Sequence, residues 1–316
     1  MSDLALGRLG YGTAGIGNHV RALTDDQARE LLETAWDGGI RHFDTAPHYG
    51  LGLSERRLGA FLASKPRAEY VVSTKVGRLL EPNPSGADRL DDEGFVVPAE
   101  TRRVWDFTEA GIRRSLEESL VRLGIGAVDV VYLHDPERWD LRTGLELGLP
   151  ALRRLREDGL VSAIGVASMS ADALLAGARS ADVDLLMAAG RYTLADQDAA
   201  AAVLPACREN GVGVVAAAVF NGGLLAATPT ERSTFDYRAV PDDVLERARR
   251  IEAVCTAHGV PLAAAALQFP LQADVVRSVV AGAVSPEQVR ENLAHMSMPI
   301  PSALWEQLSF EGLVTT

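Results

Sequence analysis

Short apolar runs alternate along this chain with segments whose apolar residues recur at three- and four-residue spacing, the pattern of strands followed by amphipathic helices. Leu9–Thr13 is the first run. Thr24 and Gln27 form a capping box opening a helix whose Ala28, Leu31, Leu32, Ala35 and Trp36 share one face and which Gly38 and Gly39 end. Ile40–Asp44 is the second strand, and Ser54 followed by Glu55 reads as the N-cap of a helix carrying Leu58, Phe61 and Leu62. Tyr70–Lys75 is the third. A helix capped by Thr108, with Ile112, Leu116, Leu120 and Leu123 inward and Gly124 as its stop, leads to the fourth, Val128–His134. The cycle continues with a helix around Leu152–Glu157, strand Ser162–Ala167, helix Ala171–Arg179, strand Asp184–Ala189, helix Asp198–Asn210, strand Gly213–Val219, helix Asp242–His258 and strand Arg277–Ala281. Ser285-Pro286-Glu287-Gln288 then opens a helix with an N-cap, a first-turn proline and a capping-box glutamine, and a short helix near Leu304–Leu308 closes the chain.

Eight such strands, each followed by a helical pattern, are what an all-parallel sheet buried on both faces requires. The arrangement that uses them in one domain is the closed α/β TIM barrel, (β/α)8, here spanning residues 1–316, with its active site at the C-terminal strand ends. A doubly wound open sheet is the runner-up. It wants a dinucleotide fingerprint after the first strand, and Gly12-Thr-Ala-Gly15-Ile-Gly17 has the wrong spacing and lies in a long loop. Residues 78–107, punctuated by Pro82, Pro84, Gly86, Gly94 and Pro98, exceed a plain connection and are predicted to be a long, lid-like loop.

At 316 residues, 47% hydrophobic and 23% charged, the chain can bury a large core. The net charge of -12 with scattered Lys and Arg argues against a nucleic acid or an anionic membrane as partner and leaves a small molecule as the default. Cys207 and Cys255 lie in helical patterns and suggest core thiols rather than a disulfide or metal site. An N-terminus carrying Asp3 and no basic-then-apolar run shows no secretory signal, no stretch reaches the length of a membrane span, and a cytoplasmic monomer or small homo-oligomer is expected.

Four proton-active side chains stand at strand exits: Asp44 after the second strand, Tyr49 in the loop that follows, Lys75 after the third and His134 after the fourth. Singly each has a structural explanation, as a turn former, an ordinary loop tyrosine, a strand-end lysine or a histidine satisfying a carbonyl. Jointly they handle a proton. A phenol with its ordinary pKa near ~10 exchanges protons poorly at neutral pH, and Lys75 is expected to lower that value by favouring the phenolate. Asp44 would orient the lysine and keep it charged, while His134 would bond the substrate oxygen or help move its proton. The set suits redox chemistry at a carbinol or carbonyl. No nucleophile elbow and no metal-ligand spacing of histidines is present.

Asp44-Thr-Ala-Pro-His-Tyr49-Gly50 with Ser54-Glu55 and Leu58-Gly59, Ser73-Thr-Lys75, Val128-Asp129 through Leu133-His134-Asp135-Pro136, Ile164-Gly-Val166 and Gly282 through Glu291-Asn292 together resemble the aldo-keto reductases, over residues 9–292. The resemblance implies that Tyr49 is the general acid/base, that Lys75 and Asp44 tune it, that His134 orients the substrate, and that a nicotinamide cofactor lies extended across the barrel mouth. The residues it places against that cofactor are Gly12, Thr13, Asp44, Ser168, Phe220, Asn221, Gly222, Gly282, Ser285, Gln288, Glu291 and Asn292. Trp105-Asp-Phe-Thr108, Arg114 through Leu120, and Ala189-Gly-Arg-Tyr-Thr-Leu194 with Asp196-Gln197 resemble the bacterial aldose 1-dehydrogenases acting on L-fucose and D-threo-aldoses, a branch that pyridoxal 4-dehydrogenases share. The chain departs from the family where the Ser-Asn that holds the nicotinamide amide reads Ala167-Ser168, where an amide side chain is missing around Ala189, and where Ala217 stands near the place of the stacking tyrosine.

Gly282 and Gln288 offer no cationic fork for a 2′-phosphate, so NAD is expected to serve at least as well as NADP. The expected substrate is an aldose of the L-fucose or D-arabinose type, oxidised at its anomeric carbon to a lactone, with His48, Trp105, Asp106, Arg191 and Asn221 as hydroxyl or stacking contacts beside His134. Pyridoxal oxidation, general aldehyde reduction and a catalytically idle, cofactor-binding regulatory barrel are the alternatives.

Overall fold

The computed structural model describes residues 4–236 and 238–315, so the acidic Asp3 lies outside the described residues. The strands of the barrel are β1 (Leu9–Gly12), β2 (His42–Asp44), β3 (Val71–Val76), β4 (Val128–His134), β5 (Val161–Ser168), β6 (Leu185–Ala189), β7 (Gly213–Ala217) and β8 (Val276–Gly282). They close in the order β1-β8-β7-β6-β5-β4-β3-β2, every neighbouring pair parallel, which is the predicted TIM barrel.

Alternation along each strand builds two cores. In β4, Val130 and Tyr132 point into the lumen with Val71, Ala163, Ala167, Leu185, Met187, Val215 and Val280, a cluster that contains no helix residue. Val131 and Leu133 point the other way, under the helices, with Phe43, Val72, Ile164, Val166, Leu186 and Val214. The surrounding helices are α1 (Asp25–Asp37), α2 (Leu53–Leu62), α3 (Glu109–Leu123), α4 (Leu141–Glu157), α5 (Ala171–Ala178), α6 (Val203–Asn210), α7 (Asp242–Ala257), α8 (Leu262–Gln268), α9 (Pro286–Ser297) and α10 (Ser302–Phe310). α1 starts on the expected capping box, with Gln27 N–H donating to Thr24 Oγ1 at 3.2 Å and Thr24 N–H to Gln27 Oε1 at 2.9 Å.

Several boundaries differ from expectation. The N-cap of α2 is Gly52, at φ 82°, and not Ser54, whose hydroxyl turns inward to the Thr13 carbonyl at 2.9 Å. α4 begins eleven residues before Leu152 and carries Pro150 inside it, which hid its first turns. α6 starts at Val203 rather than Asp198. In α9, Ser285 Oγ caps Gln288 N–H, but the Gln288 side chain accepts from Val284 N–H at 2.8 Å instead of closing a capping box on Ser285. Segment 78–107 is not without regular structure: Arg78–Pro82 and Thr101–Trp105 pair as an antiparallel ribbon, with Arg78 opposite Trp105.

Candidate active site

Asp44 ends β2 and Lys75 sits one residue before the end of β3, so both side chains enter the barrel mouth from rigid backbone. Lys75 Nζ donates to Asp44 Oδ2 at 2.6 Å, to the Thr45 carbonyl at 3.0 Å and to Tyr49 Oη at 3.0 Å. Ser73 Oγ donates to the other carboxylate oxygen, Oδ1, at 2.7 Å. Tyr49 reaches this chain because its loop docks on the loop after β1. Gly50 stands at φ 61°, where a Cβ would come 2.1 Å from the Gly17 carbonyl oxygen. Gly17 of the Gly12–Gly17 stretch thus has a packing role at the tyrosine, while Gly12 and Gly15 pack against residues 280–284. His134, at the end of β4, meets the Tyr49 ring edge-on with centroids 6.2 Å apart, and the His48 ring lies 5.4 Å from His134 and 5.9 Å from Tyr49.

Burial sets the electrostatics. Asp44 and Lys75 are each 2% exposed, so their charges see each other across a low dielectric. Burial works against the Lys75 charge, but the Asp44 carboxylate and the Tyr49 oxygen outweigh it and hold the ammonium above its ordinary range. For Tyr49 burial wins: it raises the phenol above its ordinary value, Lys75 pulling down and Asp44 pushing up in smaller measure. Lys75 does pull the phenol down as expected, but burial outweighs it, so the net shift is a correction and the resting phenol is protonated. Burial, with Arg78 and Lys75, holds His134 well below the usual imidazole value, and burial with Arg78 and Arg103 does the same to His48. Both imidazoles are neutral at neutral pH.

Sequence reasoning did not single out the side chains packed around this site. Arg78, 2% exposed, pairs with Asp135 and lies 4.4 Å over the Trp105 ring. Asp135, next to His134, takes φ 44°, a left-handed conformation that aspartate tolerates. Arg103 grips Asp91 at 2.6 and 3.0 Å and the His48 carbonyl at 2.9 Å. Phe95, between the ribbon strands, stacks on Tyr49 at 6.1 Å. These are contacts between segments distant in sequence, and the one local signal was Asp135 beside the histidine.

The other expected residues fall into two groups. Thr13 is fully buried, its hydroxyl on the Asp44 carbonyl at 2.8 Å and on Ser54 Oγ at 2.7 Å. Asn221, 1% exposed, accepts from Thr193 Oγ1 at 2.6 Å and donates to the Gly190 carbonyl at 3.3 Å. Arg191 is held by Asp196 and Asp236, and Ser168 Oγ donates to Glu137 at 2.6 Å. Asp106 accepts from Thr108 N–H and Oγ1 at 2.9 and 2.6 Å. These five brace the loops in this structure. Around β8 and α9 the rim is instead open: Gly282 and Glu291 are exposed, Phe220 and Asn292 are half-buried, and Gly222 sits at φ 72°. Gly12 pairs with Gly282 in register, and a Cβ on Gly282 would lie 3.4 Å from the Gly12 carbonyl oxygen, so the floor there is bare backbone beside a helix N-terminus, which suits a phosphate. A cavity of about 450 Å³ lined by Leu6, Arg8, Gly39, Arg41, Tyr70 and Met296 lies at the opposite end of the barrel and touches none of the four proton-active residues.

A parallel barrel with a buried carboxylate–ammonium–phenol chain and a neutral imidazole at its mouth defines a carbonyl/carbinol oxidoreductase, and the chain belongs to the aldo/keto reductase family, whose profile matches residues 8–309. It is similar to a D-threo-aldose 1-dehydrogenase of Pseudomonas sp, 55% identical over 320 residues covering 100% of this chain and 97% of that protein. A pyridoxal 4-dehydrogenase of Microbacterium luteolum is 36% identical over 331 residues, covering 99% and 96%. Among solved structures, an aldo-keto reductase of Bacillus halodurans in its holo form matches in fold with a TM-score of 0.79 at 24% identity, over 100% of this chain and 94% of that one. Among the described residues no single helix is long and apolar enough to cross a membrane.

Proposed function

We propose that the protein oxidises an aldose of the L-fucose or D-arabinose type at its anomeric carbon to a lactone, using NAD at least as well as NADP. The 55% identity to a protein named as a D-threo-aldose 1-dehydrogenase supports the class. The observation that carries the sugar reading is His48 Nδ1, a buried ring nitrogen with no partner beside Tyr49 and His134. An orphaned acceptor or donor at that place asks for a substrate hydroxyl, and an apolar aldehyde leaves it unsatisfied. Pyridoxal is the second reading. It would stack on Trp105, but Arg78 covers one face of that ring and Phe107 runs parallel to it at 5.9 Å, which weakens the case.

A nicotinamide bound at the mouth supplies the hydride acceptor. Tyr49 takes the proton of the anomeric hydroxyl as hydride leaves the same carbon, and Lys75, fixed by Asp44, stabilises the phenolate that must form first. Neutral His134 bonds the reacting oxygen and fixes its approach. Because the phenol is raised, its basic form grows with pH, so oxidation speeds up into the alkaline range while reduction, which needs the protonated phenol, does not. On the rim, the Gln288 amide is engaged with Val284 N–H and Arg290 pairs with Glu287 at 3.5 Å, so neither is poised for a 2′-phosphate. The two free, buried cysteines fit a reducing, cytoplasmic setting, and a monomer or small homo-oligomer is proposed.

Assaying L-fucose, D-arabinose, L-galactose and pyridoxal side by side with both cofactors tests this. Turnover of one or more sugars with NAD is expected. Activity on pyridoxal alone would sink the sugar reading, and a hundredfold preference in kcat/KM for NADP would assign phosphate recognition to another cation, with Arg21, which reaches the Val284 carbonyl, the first to substitute.

A further inference from the structure

The hydrogen-bonded chain does not stop at Asp44. Ser73 Oγ gives its one proton to Asp44 Oδ1 at 2.7 Å, so toward His42 Nε2, 3.1 Å away, the same oxygen can only accept. That fixes His42 as the tautomer protonated on Nε2, with a bare lone pair on Nδ1. Nδ1 is indeed buried with no partner, and it faces Gly10, where a Cβ would lie 2.7 Å from it. His42 and Ser73 are both fully buried, each two residues before Asp44 and Lys75 on its strand and so on the same lumen-facing side. The order is therefore His42, Ser73, Asp44, Lys75, Tyr49: His42 donates to Ser73, Ser73 to the carboxylate, and Lys75 to both the carboxylate and the phenol oxygen.

We propose that His42 and Ser73 are positioning residues of the reaction: together they hold Asp44 Oδ1, which leaves Oδ2 as the fixed partner of Lys75, with Gly10 present to make room for the imidazole. This rests on Tyr49 being the acid/base. A carboxylate bonded through one oxygen only can rotate about its Cβ–Cγ bond, and the ammonium it holds then loses its aim at the phenol. The Ser73 hydroxyl removes that freedom, and His42 removes the rotational freedom of the hydroxyl. No proton moves through the pair; it sets geometry.

The test is Ser73→Ala, with Ser73→Thr as the rescue and His42→Phe as a second break, each checked for folding by its thermal transition. L-fucose oxidation with NAD gives kcat and KM. The phenolate titration of Tyr49, taken as the ultraviolet difference between each protein and its Tyr49→Phe counterpart, needs no substrate. Groups facing that phenol are Lys75, Asp44 and Asp135, with the His134 and His48 rings at its edges. Ser73→Ala is expected to lower kcat roughly tenfold to hundredfold, the rate equivalent of losing a hydrogen bond to a charged group, with KM within about threefold. The Tyr49 titration should move to higher pH as the ammonium slackens. Ser73→Thr should restore both, and His42→Phe should act in the same direction more weakly. A Ser73→Ala protein with kcat within about twofold of wild type and an unmoved phenolate titration would overturn the proposal. Failure of the underlying reading looks different: Tyr49→Phe itself would then retain more than about a tenth of the activity.

Discussion

Two arcs of the barrel mouth are built on opposite plans. From β2 to β4 the strand ends deliver charged and titratable side chains into burial, where Asp44, Lys75 and His134 are 2, 2 and 7% exposed and each is fixed by another side chain. From β6 to β8 the strand ends deliver Ala189, Ala217 and Gly282, and the polar side chains nearby are tied back to protein groups, Asn221 to Gly190 and Thr193, Gln288 to Val284. The first arc fixes charges out of water, where electrostatic preorganisation is strongest. The second offers bare backbone, a helix N-terminus and room, which is what an extended, anionic ligand needs. Loss of a side chain should accordingly be felt in turnover on the first arc and in affinity on the second.

Tyr49→Phe is the largest break. It should lower turnover by ~10²–10⁴-fold, the usual worth of general acid–base catalysis, while the Kd for NAD, measured by quenching of protein fluorescence, stays within about threefold. A variant that loses NAD binding along with turnover would mean that the two arcs are not independent.

The first arc was legible from the residues themselves and the second only through the family resemblance, for a physical reason. Asp44, Lys75 and His134 end apolar runs, so local pattern alone placed them at one end of the barrel. Their function depends on residue type, which a sequence displays. The second arc works through backbone groups and absent side chains, and nothing at Thr13 or Asn221 signals that both are turned into the protein. Arg78 and Phe95 went unmarked because their partners Asp135 and Tyr49 are far off in sequence, and because the charges at Arg78, Glu81, Arg102 and Arg103 masked two ribbon strands. Helix α8 was missed because Leu262–Gln268 is buried all round and has no polar face to give a period.

The layer beneath the first arc makes a second, smaller test. Burial pushes His42 down to about 4 from 6.5, so the native protein refuses a proton that the unfolded chain accepts between those values. The unfolded state then binds more protons, and stability falls as pH drops through that window, by about 3 kcal/mol for this residue at 1.36 kcal/mol per unit. His48 and His134 are shifted the same way and add to the effect. Urea midpoints across the window should fall on acidification, and His42→Phe should flatten the slope. A slope unchanged by that substitution would place the acid sensitivity on the other two imidazoles.

The smallest expected effect lies on the second arc, at Gln288. Its Oε1 is the partner of Val284 N–H, and its own N–H is capped by Ser285, so the side chain holds the β8–α9 turn in shape without pointing a charge at anything. Removing it in Gln288→Ala leaves one amide of that turn to find water, at about 0.5–1.5 kcal/mol, the net worth of an ordinary hydrogen bond. If the proposed cofactor rests its phosphates on this turn, the loosening appears as a Kd for NAD raised roughly twofold to tenfold, with kcat at saturating NAD unchanged. The contrast with Tyr49→Phe is the point of the measurement, since one variant should move only kcat and the other only Kd. A Gln288→Ala protein whose kcat falls tenfold with its Kd intact would show that the turn reports to the proton-handling arc, and the division between the two arcs would fail.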